Sequence, residues 1–394
     1  MPMFMRVDLS TIGYVAATLA VAALISFIAT PVVKSLAFKV GAVDVPKDAR
    51  RMHNHPIPRM GGLAIFFGFL LAVLIFVPLA GSMIGGGQFL ADSTKGMLLG
   101  AIIIVVLGIF DDIYDLPAKF KFVVQIVAAI VAVASGNIIE VISNPNVFSQ
   151  NPWLALGWLS YPVTVIWIVA VTNAVNLIDG LDGLACGVST ISSMTMLVIA
   201  LLVSEVNVAI MMGALAGACL GFLPYNLNPA KIFMGDTGST FLGFILATVS
   251  VQGMFKMYTI ISFVVPFLML GLPIFDTCFA FIRRIAHGQS PMHPDRSHVH
   301  HRLIDMGFTQ KQAVGILYVI SAILGLSAVV LTTTDALKAM IFLVAMCAAG
   351  IVAGMIFLSN NDEGRGKKRQ TPTQNSSDST QTEVPGPEGK DAEQ

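Results

Sequence analysis

The chain has 394 residues, of which 55% are hydrophobic and only 12% charged, with a mean hydropathy of +0.79 and no net charge. This composition excludes a soluble enzyme with a single anchor and defines an all-α, polytopic integral membrane protein. Charge balance gives no reason to expect a nucleic-acid partner; membrane lipid is the expected surrounding.

A spanning helix needs roughly 20 apolar residues, and about eleven such runs can be traced. They fall at 11–33, 61–80, 96–110, 120–136, 156–172, 184–203, 207–223, 239–255, 259–282, 313–331 and 338–358. The runs 96–110 and 120–136 are marginal for a crossing without their flanks. The first run lacks a basic leader and a small-residue cleavage site, so it reads as a retained helix. Residues 1–358 are expected to form one transmembrane domain. Residues 359–394 are polar and rich in Ser, Thr, Gln, Glu and Pro, the composition of a disordered tail. The RGKKR run at 365–369 suits anionic lipid beside the last helix. Cys186, Cys219, Cys278 and Cys347 are scattered through apolar runs and read as small buried hydrophobes.

Lys and Arg set the orientation. With the N-terminus outside, all but four of the 23 basic residues fall in inner loops, the exceptions being Arg6, Lys95, Lys256 and Lys338. All seven histidines and most loop acids fall on the same side. The C-terminus is then cytoplasmic in a cell (plasma or inner) membrane. A transporter of an anionic solute would line a path at mid-membrane depth, where Asp276 is the only candidate; one-sided polarity favours chemistry at the cytoplasmic surface.

The stretch NAVNLIDGLDGLACG places Asn173, Asn176, Asp179 and Asp182 at steps of three after an apolar run, keeping neighbours close in a helix or helical turn. Its plain alternative is a polar cap where a helix leaves the membrane. Asp111 and Asp112 close the third run, where negative charge meets an unfavourable helix dipole. They cannot be an N-cap there, so a positive partner is expected, and hydrated Mg²⁺ with phosphate ligands is the simplest. Two touching acids also raise one pKa, which gives a proton acceptor. Asp236, in FMGDTGS, is either a metal ligand or the cap of the next helix, with Thr237, Ser239 and Thr240 as further capping groups. Lys231 is the one basic residue of that loop and can meet a phosphate.

His298, His300, His301 and Arg302 offer four phosphate-binding groups. A zinc site with His293 is disfavoured by the hard Asp oxygens elsewhere. Arg50, Arg51, His53, His55 and Arg59 make the first inner loop cationic, with Arg59 beside the tight PRMGG turn the strongest candidate. Asp276, after Pro273 in the ninth run, is left between a functional role and relief of a broken helix. Together these groups call for a phosphate-bearing substrate, a divalent metal and a membrane-resident partner. Neither a Walker loop nor a dinucleotide fingerprint is present, and a phosphoryl-type transfer driven by positioning and charge neutralisation fits.

In order, PRMGG, DDIYD, NAVNLIDGLDGLA, PYNLNPAKIFMGDTGS and HVHHRL resemble the polyprenyl-phosphate N-acetylhexosamine-1-phosphate transferases over about residues 40–310. The resemblance implies Mg²⁺ dependence (with Mn²⁺ as a substitute), cytoplasmic catalytic loops, and transfer of a sugar-1-phosphate from a UDP-amino sugar to a polyprenyl phosphate with release of UMP. It implies catalytic roles for Asp111, Asp112, Asp236, His300 and His301, with the three aspartates in the metal region. It implies substrate contacts for Asn176 and Asp179 at the nucleotide sugar, Asp182 and Phe233 at uracil, Asn226 near the diphosphate, and His298 with Arg302 at phosphate or sugar; Asn173, Arg59 and Lys231 join this set from the residue reading. HVHH replaces the three consecutive histidines of the muramoyl-pentapeptide branch. The pattern is therefore more similar to the undecaprenyl-phosphate N-acetylglucosamine-1-phosphate transferases, which use UDP-N-acetylglucosamine and undecaprenyl phosphate to start teichoic acid or related cell-envelope glycans. The muramoyl-pentapeptide transfer is the alternative. A homodimer is compatible with either.

Overall fold

A computed structural model describes residues 9–45, 56–83, 90–143, 153–253, 264–286 and 298–333. The chain divides into two compact units, Met1–Leu343 and Val344–Gln394, and every described residue belongs to the first. The eleventh expected run, the tail, the RGKKR run, Arg50, Arg51, His53, His55 and His293 lie outside the described residues.

The described residues form twelve α-helices, a single 3-10 turn at Gly157–Leu159 and two short ribbons. In order they are α1 (Leu9–Val40), α2 (Gly62–Met83), α3 (Asp92–Tyr114), α4 (Ala118–Ala134), α5 (Ser160–Leu177), α6 (Leu184–Leu202), α7 (Val206–Asn226), α8 (Gly235–Gly253), α9 (Val264–Met269), α10 (Gly271–Ala286), α11 (Val299–Asp305) and α12 (Gln310–Thr333). Seven of them, α1, α2, α3, α5, α6, α7 and α12, are long and apolar enough to cross a membrane. The 17-residue α4 is short for a crossing, and the polar opening turns of α8 dilute its apolar character.

Central and peripheral helices are distinguished by burial. α7 is buried continuously from Val208 to Cys219 and α8 from Thr237 to Val251. α1 buries Val15, Thr18, Ala22, Ser26, Thr30, Val33 and Ala37 at steps of three and four, while Leu24, Phe27, Ile28 and Val32 are exposed. That is one helical stripe packed on protein, with apolar residues on the outside as lipid requires. Lipid contact removes the usual hydrophobic drive for helices to associate, so close packing has to hold them. α7 meets α1 through Gly217 and Gly221, where a Cβ would land on the backbone of Leu19 and Ala23.

The ninth expected run breaks at Leu270, between α9 and α10. Pro273 has no N–H for the carbonyl four residues back, that of Met269. Ser192 Oγ of α6 donates to this freed carbonyl at 2.7 Å. The first inner loop contains more order than a cationic loop: β1 (Val43–Asp44) pairs antiparallel with β2 (Ile57–Pro58). The β2 end then docks on the segment before α8 through Phe233 N–H to Pro58 O (2.8 Å), Gly61 N–H to Phe233 O (2.9 Å) and Gly62 N–H to Met234 O (2.8 Å). The second ribbon pairs β3 (Val141–Ser143) with β4 (Trp153–Ala155).

Candidate active site

The C-terminal ends of α3, α5 and α7 meet the N-terminal ends of α4, α8 and α12 at one end of the bundle. There a cavity of ≈ 520 Å³ is lined by Asp44, Arg59, Asp112, Asn176, Asp179, Asp182, Asn226, Phe233, Asp236 and His301, with Ile304, Asp305 and Gln310 among the remainder. Residues from Asp44 to Gln310 converge on it, so the polar motifs spaced along the chain share one hollow.

The adjacent acids of α3 are divided in their contacts. Asp112 Oδ1 accepts Asp236 N–H at 2.9 Å, and its Oδ2 accepts Thr237 N–H at 3.1 Å and the Thr237 hydroxyl at 2.6 Å. The pair cannot cap the helix that it closes, yet Asp112 can cap another. Asp112 supplies the N-terminal cap of α8 from across the bundle and complements that helix's dipole. Asp111 Oδ1 accepts Leu116 N–H at 2.7 Å, and its Oδ2 accepts the Lys121 ammonium at 2.8 Å. The same ammonium donates to Asp236 Oδ2 at 2.8 Å. Asn176 donates to Asp236 Oδ1 at 3.0 Å and to Ser239 Oγ at 2.8 Å. Asp236 sits inside the first turn of α8 and is not itself the cap. Ser239 and Thr240 donate back to the carbonyls of Gly235 and Asp236, four residues earlier.

Lys121 thus holds a positive charge between Asp111 and Asp236, a position where a divalent cation finds two hard oxygen donors. Mg²⁺ takes one or two carboxylates and completes its shell with water and substrate phosphate, so this donor set fits it. Asp112 fits less well, because both its oxygens already serve α8. No group of three or more His, Cys, Asp and Glu able to hold a metal ion occurs among the described residues.

The turn after α5 forms the cavity wall. The carboxyl of Asp179 is pushed up to about 8, by burial first and then by the charges of Asp236, Asp112 and Asp182. Asp182 Oδ2 accepts Asn228 Nδ2 at 2.9 Å and Ala230 N–H at 3.0 Å, tying this turn to the α7–α8 connection. Asn226 donates to Ile232 O at 3.1 Å, while its own buried oxygen has no hydrogen-bond partner. Arg59 donates to Asp44 at 2.6 Å and to Asp115 at 3.2 Å, pinning β1 to the end of α3.

The histidines are layered. His301 lines the cavity. His300 is buried with its ring over Gly180, where any Cβ would collide with Nε2. Burial, and then His301, push its pKa down to about 4, so the ring is neutral at ordinary pH. His298 is buried behind them with Nδ1 2.9 Å from Asp276.

Six sequence candidates lie outside the cavity lining; Asp111 and His300 adjoin lining residues through Lys121 and Gly180, and the other four stand further off. Asn173 donates to Gln125 at 2.6 Å and to Val169 O, joining α5 to α4. Lys231 is exposed. Arg302 lies 5.2 Å over the Phe279 ring. His298 is the fourth. Sequence reading missed Lys121, Gln125, Asp44 and Gln310. Lys121 and Gln125 carried a signal, since they stand four apart on one face of a helix whose only other polar residue is Lys119 in its first turn.

Helical architecture and a carboxylate-rich cavity at one end of the bundle define a polytopic membrane protein with a polar site at that end. Residues 94–254 match the family model described as glycosyl transferase family 4. The chain is 46% identical over 304 residues to a probable undecaprenyl-phosphate N-acetylglucosaminyl 1-phosphate transferase of Bacillus subtilis (strain 168), covering 77% of this chain and 81% of that protein. It is 34% identical over 364 residues to a decaprenyl-phosphate N-acetylglucosaminephosphotransferase of Mycolicibacterium smegmatis, covering 87% and 88%. It is 31% identical over 296 residues to an undecaprenyl-phosphate alpha-N-acetylglucosaminyl 1-phosphate transferase of Salmonella typhi, covering 74% and 77%. The chain belongs to the polyprenyl-phosphate N-acetylhexosamine-1-phosphate transferases of glycosyl transferase family 4.

Proposed function

We propose that this protein transfers N-acetylglucosamine-1-phosphate from UDP-N-acetylglucosamine to undecaprenyl phosphate, giving undecaprenyl-diphospho-N-acetylglucosamine and UMP and starting a cell-envelope glycan. The observation that carries the reading is the single cavity shared by the α3, α5, α7–α8 and α11 motifs. A lipid-phosphate oxygen attacks the β-phosphorus of the nucleotide sugar, and the bond from that phosphorus to the bridging oxygen of UMP breaks. Any proton on the lipid phosphate passes to Asp111, whose Oδ2 meets the Lys121 side chain, whereas both oxygens of Asp112 are taken up by donors of α8. Asp111 and Asp236 would hold Mg²⁺, or Mn²⁺ in its place, which supplies neutralisation of the diphosphate charge. Lys121 and Arg59 add positive charge, and His301 offers a hydrogen bond at the cavity wall.

An apolar groove of ≈ 310 Å³, lined by Val163, Ile166, Trp167, Ala174, Phe267 and Ile274, supports an isoprenoid acceptor. It runs along α5, which carries Asn176 in its last turn. The positive-inside pattern supports a cytoplasmic cavity and an outer N-terminus in the cell membrane. The test is UMP release by purified protein with each UDP-sugar, with and without undecaprenyl phosphate and Mg²⁺. Release that needs UDP-N-acetylglucosamine, lipid and metal together supports the reading. Release only from UDP-muramoyl-pentapeptide, or solute flux without UMP, rejects it.

A further inference from the structure

Asp276 lies on α10, is only 4% exposed, and does not line the cavity. Its Oδ2 is 2.9 Å from His298 Nδ1, and its Oδ1 accepts Val299 N–H at 2.8 Å. Val299 opens α11, and His298 is the preceding N-cap residue, with extended backbone (φ −60, ψ 150) and no capping hydrogen bond from its own side chain. One carboxylate on a neighbouring helix therefore takes both an orphan amide of α11 and the imidazole beside it. With seven residues, α11 is too short to persist without such ties. Arg302 over Phe279 ties it to α10 as well, and Phe279 is three residues from Asp276 and so on the same face.

The contact continues inward. The His298 ring stacks parallel to that of His300, with centroids 5.8 Å apart and planes 8° apart. His300 stands 4.3 Å from His301, which lines the cavity. We propose that Asp276 is a positioning residue for the transfer: it fixes the start of α11 and holds the His298 proton on Nδ1, so that the row His298–His300–His301 is presented to the cavity. The proposal rests on the transferase reading of that cavity.

Hydrogen-bond donors and acceptors determine the chemistry. An ionised carboxylate only accepts, and Val299 N–H only donates, so the second oxygen requires a proton on His298 Nδ1. Asn at this position has one oxygen for two donors. If that oxygen serves Val299, the amide NH₂ donates to Nδ1 and drives the ring proton to Nε2. Glu retains both acceptors.

The experiment uses the full chain in nanodiscs, comparing wild type with Asp276→Asn and Asp276→Glu. Steady-state UMP release from UDP-N-acetylglucosamine gives kcat and KM, and ¹⁵N-histidine NMR of the nucleotide-free protein reads the tautomer, with His298→Gln assigning the signal. The expected result for Asp276→Asn is a fall in kcat of about tenfold or more, with the His298 proton moved from Nδ1 to Nε2. Asp276→Glu should restore most of the rate and the Nδ1–H signal. Unchanged kcat in Asp276→Asn overturns the proposal, as does a lost rate with an unchanged tautomer, or loss in both variants with His298 still Nδ1-protonated. A wild type that releases no UMP refutes the transferase reading instead, and the tautomer measurement still decides whether Asp276 controls His298.

Discussion

The clearest consequence of the geometry is that the two adjacent acids of α3 do different work, and Asp112→Asn tests it. The carboxylate accepts from Asp236 N–H, Thr237 N–H and Thr237 Oγ1, and is 6% exposed. Asn brings one oxygen, so at least one α8 donor faces an NH₂ group. A hydrogen bond to a charged acceptor contributes about 1.5–3 kcal/mol, and a negative charge at a partly buried helix N-terminus up to about 2 kcal/mol. Losing one such bond together with the charge costs roughly 2–5 kcal/mol. Asp236 supplies one of the donors, so the disturbance reaches it directly and activity falls too. Asp111→Asn is the control: its amide oxygen can still accept from Leu116, and Lys121 keeps Asp236. Thermal melting and UMP release in one detergent should show Asp112→Asn losing both stability and activity, and Asp111→Asn losing activity with a much smaller fall in Tm. An Asp112→Asn protein that melts like wild type but is inactive would mean that Asp112 acts in the chemistry and not through α8.

Three further outcomes are expected. Asp236→Asn should fold normally yet lose activity by about 10²-fold or more across a Mg²⁺ titration; recovery at high Mg²⁺ would point to weakened metal binding alone, and near-normal turnover would remove Asp236 from the metal site. Gly180→Ala should displace the His300 ring and reduce UMP release, and the change should cost much less when made in a His300→Ala background; equal losses in both backgrounds would break the link between this turn and α11. Burial raises the Asp179 carboxyl to about 8, so the native state resists its ionisation and stability from this group is lost as pH rises from the unfolded value near 4 through 8. In nucleotide- and metal-free protein, Asp179→Asn should therefore melt increasingly above wild type over that window and level off beyond it, and a Tm difference independent of pH would contradict the assignment.

Much of this protein was legible before any coordinates. The apolar runs identified the α1–α8 and α12 segments, because a bilayer demands long stretches in which the backbone satisfies itself. Asp111, Asp112, Asn176, Asp179, Asp182, Asn226, Asp236 and His301 stood out because polar groups beside such runs are costly, and all converge on the cavity or its edge. The break at Leu270 was foreshadowed by Pro273, and the β1–β2 ribbon was not, since two-residue strands carry no periodicity.

The sequence by itself determined the membrane class, the end of the bundle that carries polar chemistry, and the inventory of acids and imidazoles, since these follow from local composition. Tertiary structure alone decided what each group does. Asp112 meets Thr237 across 125 positions, Lys121 meets Asp236 across 115, and His298 meets Asp276 across 22. Whether a carboxylate caps a helix, shares an ammonium or fixes a ring proton depends on which donor stands about 3 Å away. That neighbour is set by helix packing, which no local pattern in the chain records.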